Sequence, residues 1–169
     1  AVSAILPGLD IGMEYDGTGE QRMMLNGEDV SRAIRLPDIS IAASDVSALP
    51  AVRAFLLDMQ RSMAEKHDVI MDGRDIGTVV LPQADLKIFL TASLEDRAYR
   101  RYNELIGRGV KTCFENVISD MEKRDAQDES RAAAPLRPAP DAVTVDTTGN
   151  TLEKSIDIVC GMIGRLGKK

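Results

Sequence analysis

From residue 69 onward the chain alternates short apolar runs with longer stretches of helical periodicity, and this alternation constrains the fold more than any other feature. The apolar runs span residues 69–71, 86–90 and 142–145. Strands that are separated by helices pair in parallel, because each helical crossover returns the chain to the same end of the sheet. The sequence therefore predicts an α/β fold with a parallel sheet.

The same region carries signals for helix boundaries. Ser93 and Thr112 are each followed three positions later by an acidic residue, a pattern typical of a capped helix start. The first of these helices is expected to end near Gly107, and a last helix is expected over residues 152–165. Prolines predict a loop over residues 132–140.

The N-terminal part has a different pattern. Turn signals at residues 16–19 and 26–27 predict a hairpin or a small antiparallel meander over residues 11–26. Pro50 opens an amphipathic helix that is expected to run to about Lys66.

Composition excludes several classes of protein. The 27 acidic and 21 basic side chains give a net charge of −6, which disfavours a general polyanion-coating role because neutralising many phosphates needs a basic excess. Two cysteines and one histidine cannot assemble a disulfide framework or a Cys/His zinc site. With no apolar stretch of about 18 residues and no signal-peptide pattern, we expect a soluble cytoplasmic protein that binds neither a membrane nor a nucleic-acid polymer.

The first candidate site is residues 72–78, which read Asp-Gly-Arg-Asp-Ile-Gly-Thr and follow directly on the first predicted strand. Ligands bind beyond the carboxyl ends of strands in parallel α/β sheets. Arg74 offers a planar fork suited to phosphate, and the carboxylates of Asp72 and Asp75 can accept from an amine or hydroxyl. The pattern also fits a strand-end turn in which Asp and Arg pair only with one another, and the local sequence leaves both interpretations open.

The second candidate site consists of Arg124, Asp128 and Arg131, whose i, i+4, i+7 spacing places them on one helical face if the helix extends that far. The carboxylate would then lie between two guanidiniums that point toward phosphate, beside a proline-rich loop where a mobile lid would be anchored. A solvated helix tail with ion pairs of little value is the alternative, and spacing alone does not exclude it.

Short motifs spread along the chain carry a family resemblance. They are LNGEDV (25–30), IR (34–35), AAS (42–44), PAVR (50–53), DGRDIGT (72–78), LKIFLTA (86–92), RRY (100–102), RD (124–125), Asp128, SRA (130–132) and APL (134–136). Together they closely resemble bacterial cytidylate kinases, over nearly all of the chain and in the same order.

The resemblance implies transfer of the γ-phosphoryl group of ATP, with Mg²⁺, to CMP or dCMP. Nothing in the sequence demands more than a monomer, so we expect one. It implies a P-loop nucleoside monophosphate kinase-like fold, with a parallel sheet flanked by helices. An acceptor-binding domain with a small antiparallel insertion is expected over residues 1–66, and a core domain over residues 67–169 with a helical lid at about 112–138. Two alternatives stay open: a non-catalytic nucleotide-binding module, and a kinase for another nucleoside monophosphate such as UMP or AMP.

Individual roles follow from the same resemblance. The implied cytosine-reading residues are Ser44, Arg53 and Asp75. The implied catalytic residues are the phosphate clamps Arg74 and Arg131, the lid residue Arg124, which pairs with Asp128 near sugar and phosphate, and Asp72, a carboxylate near the magnesium ion. Arg97, Arg100 and Arg101 would serve the ATP side or lid closure, although a solvated helix face fits them equally well. No side chain is expected to be a direct metal ligand.

One part of the family pattern has no counterpart in the sequence. The family begins with a strand, a GxxxxGK[ST] phosphate loop and a helix, whereas the late Gly167-Lys168 pair here has Met162 and Lys169 at the other two motif positions. We therefore expect the sequence to be about the C-terminal three quarters of such a kinase, and to be inactive without the phosphate loop.

Overall fold

The computed structural model describes residues 2–47 and 49–166, except for the side chains of Pro37, Asp38, Ser40, Ile41 and Ser44. The chain divides into two compact units, Ala1–Val69 and Ile70–Lys169. Each unit has its own short sheet.

The first unit combines a small antiparallel sheet with helices. Its elements are α1 (Val2–Ile5), β1 (Ile11–Tyr15), β2 (Gln21–Leu25), β3 (Glu28–Asp29), α2 (Pro37–Ser47) and α3 (Pro50–Lys66), with 3₁₀ turns at Leu6–Gly8 and Ala33–Arg35.

The predicted meander is confirmed. Strands β1, β2 and β3 pair antiparallel in that order, with Ile11 opposite Leu25. Asn26 and Gly27 both have positive φ, 51° and 80°, which the tight turn between β2 and β3 requires. The helix predicted from Pro50 is also confirmed: α3 begins there, and its Val52 is buried.

The second unit is the predicted α/β part. Its elements are a wide helical turn (Ile76–Val80), β4 (Ile88–Thr91), α4 (Leu94–Gly107), α5 (Phe114–Ser130), β5 (Val143–Asp146) and α6 (Leu152–Leu166). Strands β4 and β5 pair in parallel, with Ile88 opposite Val143 and Thr91 opposite Asp146. The parallel sheet and the last helix are therefore confirmed, and residues 132–140 form the expected loop.

Packing between α4 and α5 supplies the clearest core of this unit. Ala98 on α4 and Val117 on α5 are buried, and the rings of Tyr102 and Phe114 meet edge to face with centroids 6.2 Å apart. Edge-to-face contact is a favoured arrangement of aromatic pairs, and here it contributes to the packing of α4 against α5. None of the helices in the described part of the chain is both long and apolar enough to cross a lipid bilayer.

The strand predicted over residues 69–71 is not formed, and this prediction was wrong. A strand exists only when another strand lies alongside to complete its hydrogen-bond ladder. No strand among the described residues pairs with this segment, and the side chain of Ile70 is 89% exposed. An apolar run indicates β-propensity, but a strand also needs a neighbouring strand with which to pair.

The capping box predicted at Thr112 was also wrong. Helix α5 begins at Phe114, so the capping position falls on Cys113, whose side chain makes no capping bond. The Thr112 hydroxyl lies one residue too early to reach the free N–H groups of the first turn. At α4 the prediction is confirmed, because the Ser93 hydroxyl accepts from the Asp96 N–H at 3.2 Å.

Candidate active site

A buried carboxylate near the end of α5 is the centre of the candidate site. The Asp128 side chain is only 2% exposed and lies between two arginines. Arg74 donates from Nε to Asp128 Oδ2 at 3.1 Å, and Arg131 donates from Nη2 to Asp128 Oδ1. A carboxylate this deeply buried needs compensating charge, and the two guanidiniums supply it.

The end of α5 explains how Arg131 reaches Asp128. The helix stops at Ser130, and Arg131 leaves it with extended backbone angles (φ −55°, ψ 131°). The loop then returns, because the Leu136 N–H donates to the Asp128 carbonyl at 2.9 Å. The chain therefore folds back on the helix end, and this brings the Arg131 side chain onto a residue only three positions earlier.

Arg74 comes from a turn that glycine makes possible. A Cβ atom on Gly73 would lie 2.8 Å from Cγ1 of Ile76, which is closer than carbon atoms approach. After it, the carbonyl of Asp75 accepts the N–H of Val79 at 2.8 Å and starts the turn Ile76–Val80. Arg74 therefore lies between Gly73 and the backbone-bonded turn that starts at the Asp75 carbonyl.

The arrangement leaves an excess of positive charge. Two guanidiniums share one carboxylate, and each guanidinium has five N–H donors. Arg74 donates to Asp128 through Nε, and its side chain remains 41% exposed. The remaining donors are suited to a second anion, and planar bidentate donors match phosphate.

A cavity of about 480 Å³ adjoins Arg74 and Asp128. Its lining includes Asp72, Thr78, Lys87 and Arg97 as well as Arg74 and Asp128. The volume falls in the range of pockets for small molecules, and the polar lining favours a charged ligand.

Lys87 was not singled out by the sequence as a site residue. Its side chain is 7% exposed, and Nζ contacts Asp141 Oδ2 at 2.6 Å. The hydrogen bond from Lys87 holds the pKa of the Asp141 carboxyl below its usual range. The sequence gives no local signal that Lys87 is buried, because its partner Asp141 lies 54 positions away in the chain.

The three arginines of α4 have different structural surroundings. Arg97 donates from Nε to the Ala92 carbonyl at 3.0 Å and pairs with Asp125 of α5 at 2.8 Å. Arg100 donates from Nη2 to the Thr147 carbonyl at 2.6 Å, and Arg101 pairs with Glu104 on its own helix at 2.8 Å. Among these three, Arg97 lies on the cavity.

The structure brings together Arg74, Asp128 and Arg131, but not in the arrangement that the helical spacing predicted. Arg124 is exposed on α5, and the arginine opposite Arg131 on the Asp128 carboxylate is Arg74. Helix α5 ends before Arg131, so the three-residue helical face does not extend that far. Arg74 therefore does not pair only within its own turn.

The other predicted residues lie as follows. Asp72 is exposed and lines the cavity, and Asp75 is half-buried at the start of the wide turn. Arg53 is half-buried on α3 in the first unit, and Ser44 lies on α2 with its side chain outside the described residues. Over residues 2–47 and 49–166, no group of three or more His, Cys, Asp and Glu side chains could hold a metal ion.

A parallel α/β unit that holds Arg74 beside a cavity has the donor chemistry that suits an anionic ligand such as phosphate. Comparison with known families makes this specific. The family model described as cytidylate kinase matches residues 4–165. The chain belongs to the cytidylate kinase family, as the sequence motifs predicted.

Curated relatives agree with the family model. The cytidylate kinase of Magnetococcus marinus is 48% identical over 161 residues, which cover 95% of this chain and 72% of the relative. That of Carboxydothermus hydrogenoformans is 47% identical over 149 residues, covering 88% and 67%. That of Geobacter sp. strain M21 is 49% identical over 152 residues, covering 90% and 65%. The chain thus spans about two thirds of the length of these relatives.

Proposed function

We propose that this chain provides the acceptor side of an enzyme that transfers the γ-phosphoryl group of ATP to CMP or dCMP, giving CDP or dCDP. Family membership supports the reaction. The structural observation that carries the proposal is the pair Arg74 and Arg131, both held by the buried Asp128. The proposal concerns the acceptor side because the family's GxxxxGK[ST] motif does not occur in the printed sequence.

Phosphoryl transfer depends mainly on positioning and on positive charge around the transferring group. Arg74 and Arg131 can supply that charge without a covalent nucleophile. Because Asp128 orients both guanidiniums in advance, they need little reorganisation when the acceptor phosphate arrives. In this scheme Asp128 lies near the sugar and phosphate and acts by holding the two arginines, and Arg124, exposed on α5, moves with the lid over residues 112–138.

Recognition of the base is assigned to Ser44, Arg53 and Asp75. Cytosine presents an exocyclic amine where uracil presents a carbonyl oxygen. A fixed carboxylate at Asp75 accepts a hydrogen bond from the amine and repels the carbonyl. The family resemblance supports this assignment, and so does the rigid turn that begins at Asp75.

The family implies Mg²⁺ bound together with ATP, where the ion would neutralise charge on the transferring phosphoryl group. Of the carboxylates that line the cavity, Asp125 and Asp128 pair with arginines, and Asp72 is the one that the family resemblance assigns near the ion. The nucleotide phosphates would be the main ligands of the ion. Of the α4 arginines, Arg97 is the best placed for the ATP side because it lines the cavity. Arg100 and Arg101 are proposed for the same side on resemblance alone.

The remaining proposals concern organisation. Residues 1–66 would act as the acceptor-binding domain and residues 67–169 as the core, in a cytoplasmic monomer. Its partners would be small nucleotides, since the net charge of −6 disfavours a nucleic-acid polymer.

The decisive experiment compares the affinities for CMP and UMP of the wild type and Asp75→Asn. Calorimetry first measures binding to the 169-residue chain. The same comparison is then made in a coupled kinase assay on the complete reading frame that contains it. We expect the wild type to prefer CMP by about 100-fold and Asp75→Asn to lose most of that preference. The exposed Asp58 on α3 provides the matched control, Asp58→Asn.

Equal use of UMP by the wild type would overturn the base-reading assignment. CMP binding without turnover by the complete gene product would identify a non-catalytic binding module instead.

A further inference from the structure

The residue that precedes β4 holds a nearly buried ammonium group. Lys87 is 7% exposed, and its Nζ donates to the Pro82 carbonyl at 2.5 Å. The same Nζ donates to both carboxylate oxygens of Asp141, at 2.9 Å and 2.6 Å. These contacts account for the three donors of the ammonium, so the end of the side chain is fixed.

The aliphatic part of Lys87 covers the turn that follows Asp75. A Cβ atom on Gly77 would lie 3.3 Å from Lys87 Cδ and 3.5 Å from Cγ, so the lysine stem packs directly on this glycine. Gly77 is the second residue of the wide turn Ile76–Val80. The absence of a side chain at Gly77 is what lets the stem approach so closely.

The backbone of Lys87 belongs to the sheet. Its carbonyl accepts the Val143 N–H at 2.9 Å at the start of the β4–β5 pair. One residue therefore contacts the sheet through its backbone, the turn through its stem, and the Pro82 and Asp141 loops through its ammonium.

We propose that Lys87 is a positioning residue for acceptor recognition, which holds the turn that follows Arg74 and Asp75 at a fixed depth against β4. The inference rests on the function proposed above. Without the ammonium, the stem has no anchor and the turn can shift against the sheet. Misplacement of a binding group by about 1 Å can cost on the order of 100-fold in rate, so even a partial shift is measurable. Base recognition is measured as the ratio of the affinities for CMP and UMP. A shift of the turn that follows Asp75 should therefore lower this ratio.

The test uses Lys87→Met, which keeps the stem and removes the charge, together with Asp141→Asn and the double variant. The control is Lys154→Met, a change at an exposed position of α6. Calorimetry on the full chain gives the affinities for CMP and UMP, and thermal unfolding gives stability. We expect Lys87→Met to lower the CMP-to-UMP affinity ratio by about tenfold. Asp141→Asn should change the ratio in the same direction, and the double variant should match Lys87→Met.

The outcomes are distinguishable. Lower stability with an unchanged ratio in Lys87→Met would show that Lys87 only supports the fold, and would overturn the proposal. If Lys87→Met does not fold, Asp141→Asn decides, because it alters a 64% exposed carboxylate and leaves the Pro82 bond in place. An unchanged ratio in that variant would also overturn the proposal. Failure of the wild type to bind CMP would instead contradict the proposed function.

Discussion

At the scale of single residues, the Asp128 carboxylate gives Arg131 its fixed orientation. We predict that Arg131→Ala lowers turnover by about 100- to 1000-fold, as removal of one donor to a developing negative charge does in other enzymes. The fold should survive, because Asp128 keeps its bond from Arg74 at 3.1 Å. The expected loss in free energy of unfolding is about 3 kcal/mol, because the buried Asp128 carboxylate loses one of its two charged partners.

A coupled kinase assay on the complete gene product measures the turnover, and chemical denaturation measures the stability. Arg165→Ala on α6 is the matched control, since Arg165 is exposed and donates to the Gly161 carbonyl of its own helix. Unchanged turnover in Arg131→Ala would remove Arg131 from the catalytic machinery.

Another residue-scale prediction concerns pH. The hydrogen bond from the Thr18 hydroxyl, and next that from Arg22, hold the pKa of the Asp16 carboxyl well below its usual range. The unfolded chain takes up this proton near pH 3.9, whereas the folded chain resists it. The stabilisation by Asp16 is therefore complete above that pH, and it declines as the pH falls toward the lower, folded pKa.

We expect Asp16→Asn to lower the unfolding temperature at pH 7 and to differ less from the wild type as the pH falls below about 3.9. Thermal unfolding followed by circular dichroism at pH 7, 4 and 3 measures this. Asp10→Asn, at an exposed position beside the same sheet, serves as control. A wild-type advantage that stays constant down to pH 3 would contradict the prediction.

The site residues show how far sequence reasoning reaches at this scale. The motifs located Arg74, Asp128 and Arg131 as charged residues of interest. Helical spacing then assigned Arg124 to the group around Asp128, where the structure has Arg74. A bond between residues 54 positions apart leaves no local signal, whereas an i, i+4 pattern does, and the local pattern was the misleading one.

At the scale of elements, the starts of α4 and α5 give a matched pair. Ser93 caps α4 through its hydroxyl, whereas the Thr112 hydroxyl does not cap α5. We predict that Ser93→Ala lowers the free energy of unfolding by about 1 kcal/mol and that Thr112→Ala changes it by no more than a few tenths. Urea denaturation measures both values, and equal losses in the two variants would contradict the structure at these helix starts.

Elements whose signals are local were predictable from the sequence. The Asn26-Gly27 turn, the helix from Pro50 and the Ser93 cap each depend on neighbouring residues, and each was confirmed. The strand over residues 69–71 depends on a partner elsewhere, and it was not formed among the described residues. Thr112 failed because a shift of the helix start by one residue is enough to move a hydroxyl out of range.

At the scale of the whole molecule, the net charge opposes the proposed ligand. A chain of net charge −6 repels CMP at long range, so the local arginines must overcome that repulsion at short range. Salt screens both effects, and at short range it weakens the attraction between the arginines and the phosphate of CMP. Cytidine has no phosphate, so salt has little effect on its affinity.

We predict that CMP affinity falls roughly three- to tenfold between about 0.05 M and 0.5 M salt, while cytidine affinity stays nearly constant. Calorimetric titrations of the wild type measure both ligands, and Arg74→Gln should flatten the dependence for CMP. Identical salt dependence for CMP and cytidine would show that the phosphate is not recognised by these arginines.

The carboxylate shared by two arginines has an evolutionary consequence. A neutral residue at position 128 would leave two cations facing each other, and loss of either arginine would leave the acid with half its compensation. Substitutions at positions 74, 128 and 131 should therefore covary. In a library randomised at all three positions, variants selected for CMP phosphorylation should either keep Arg74, Asp128 and Arg131 together or replace all three.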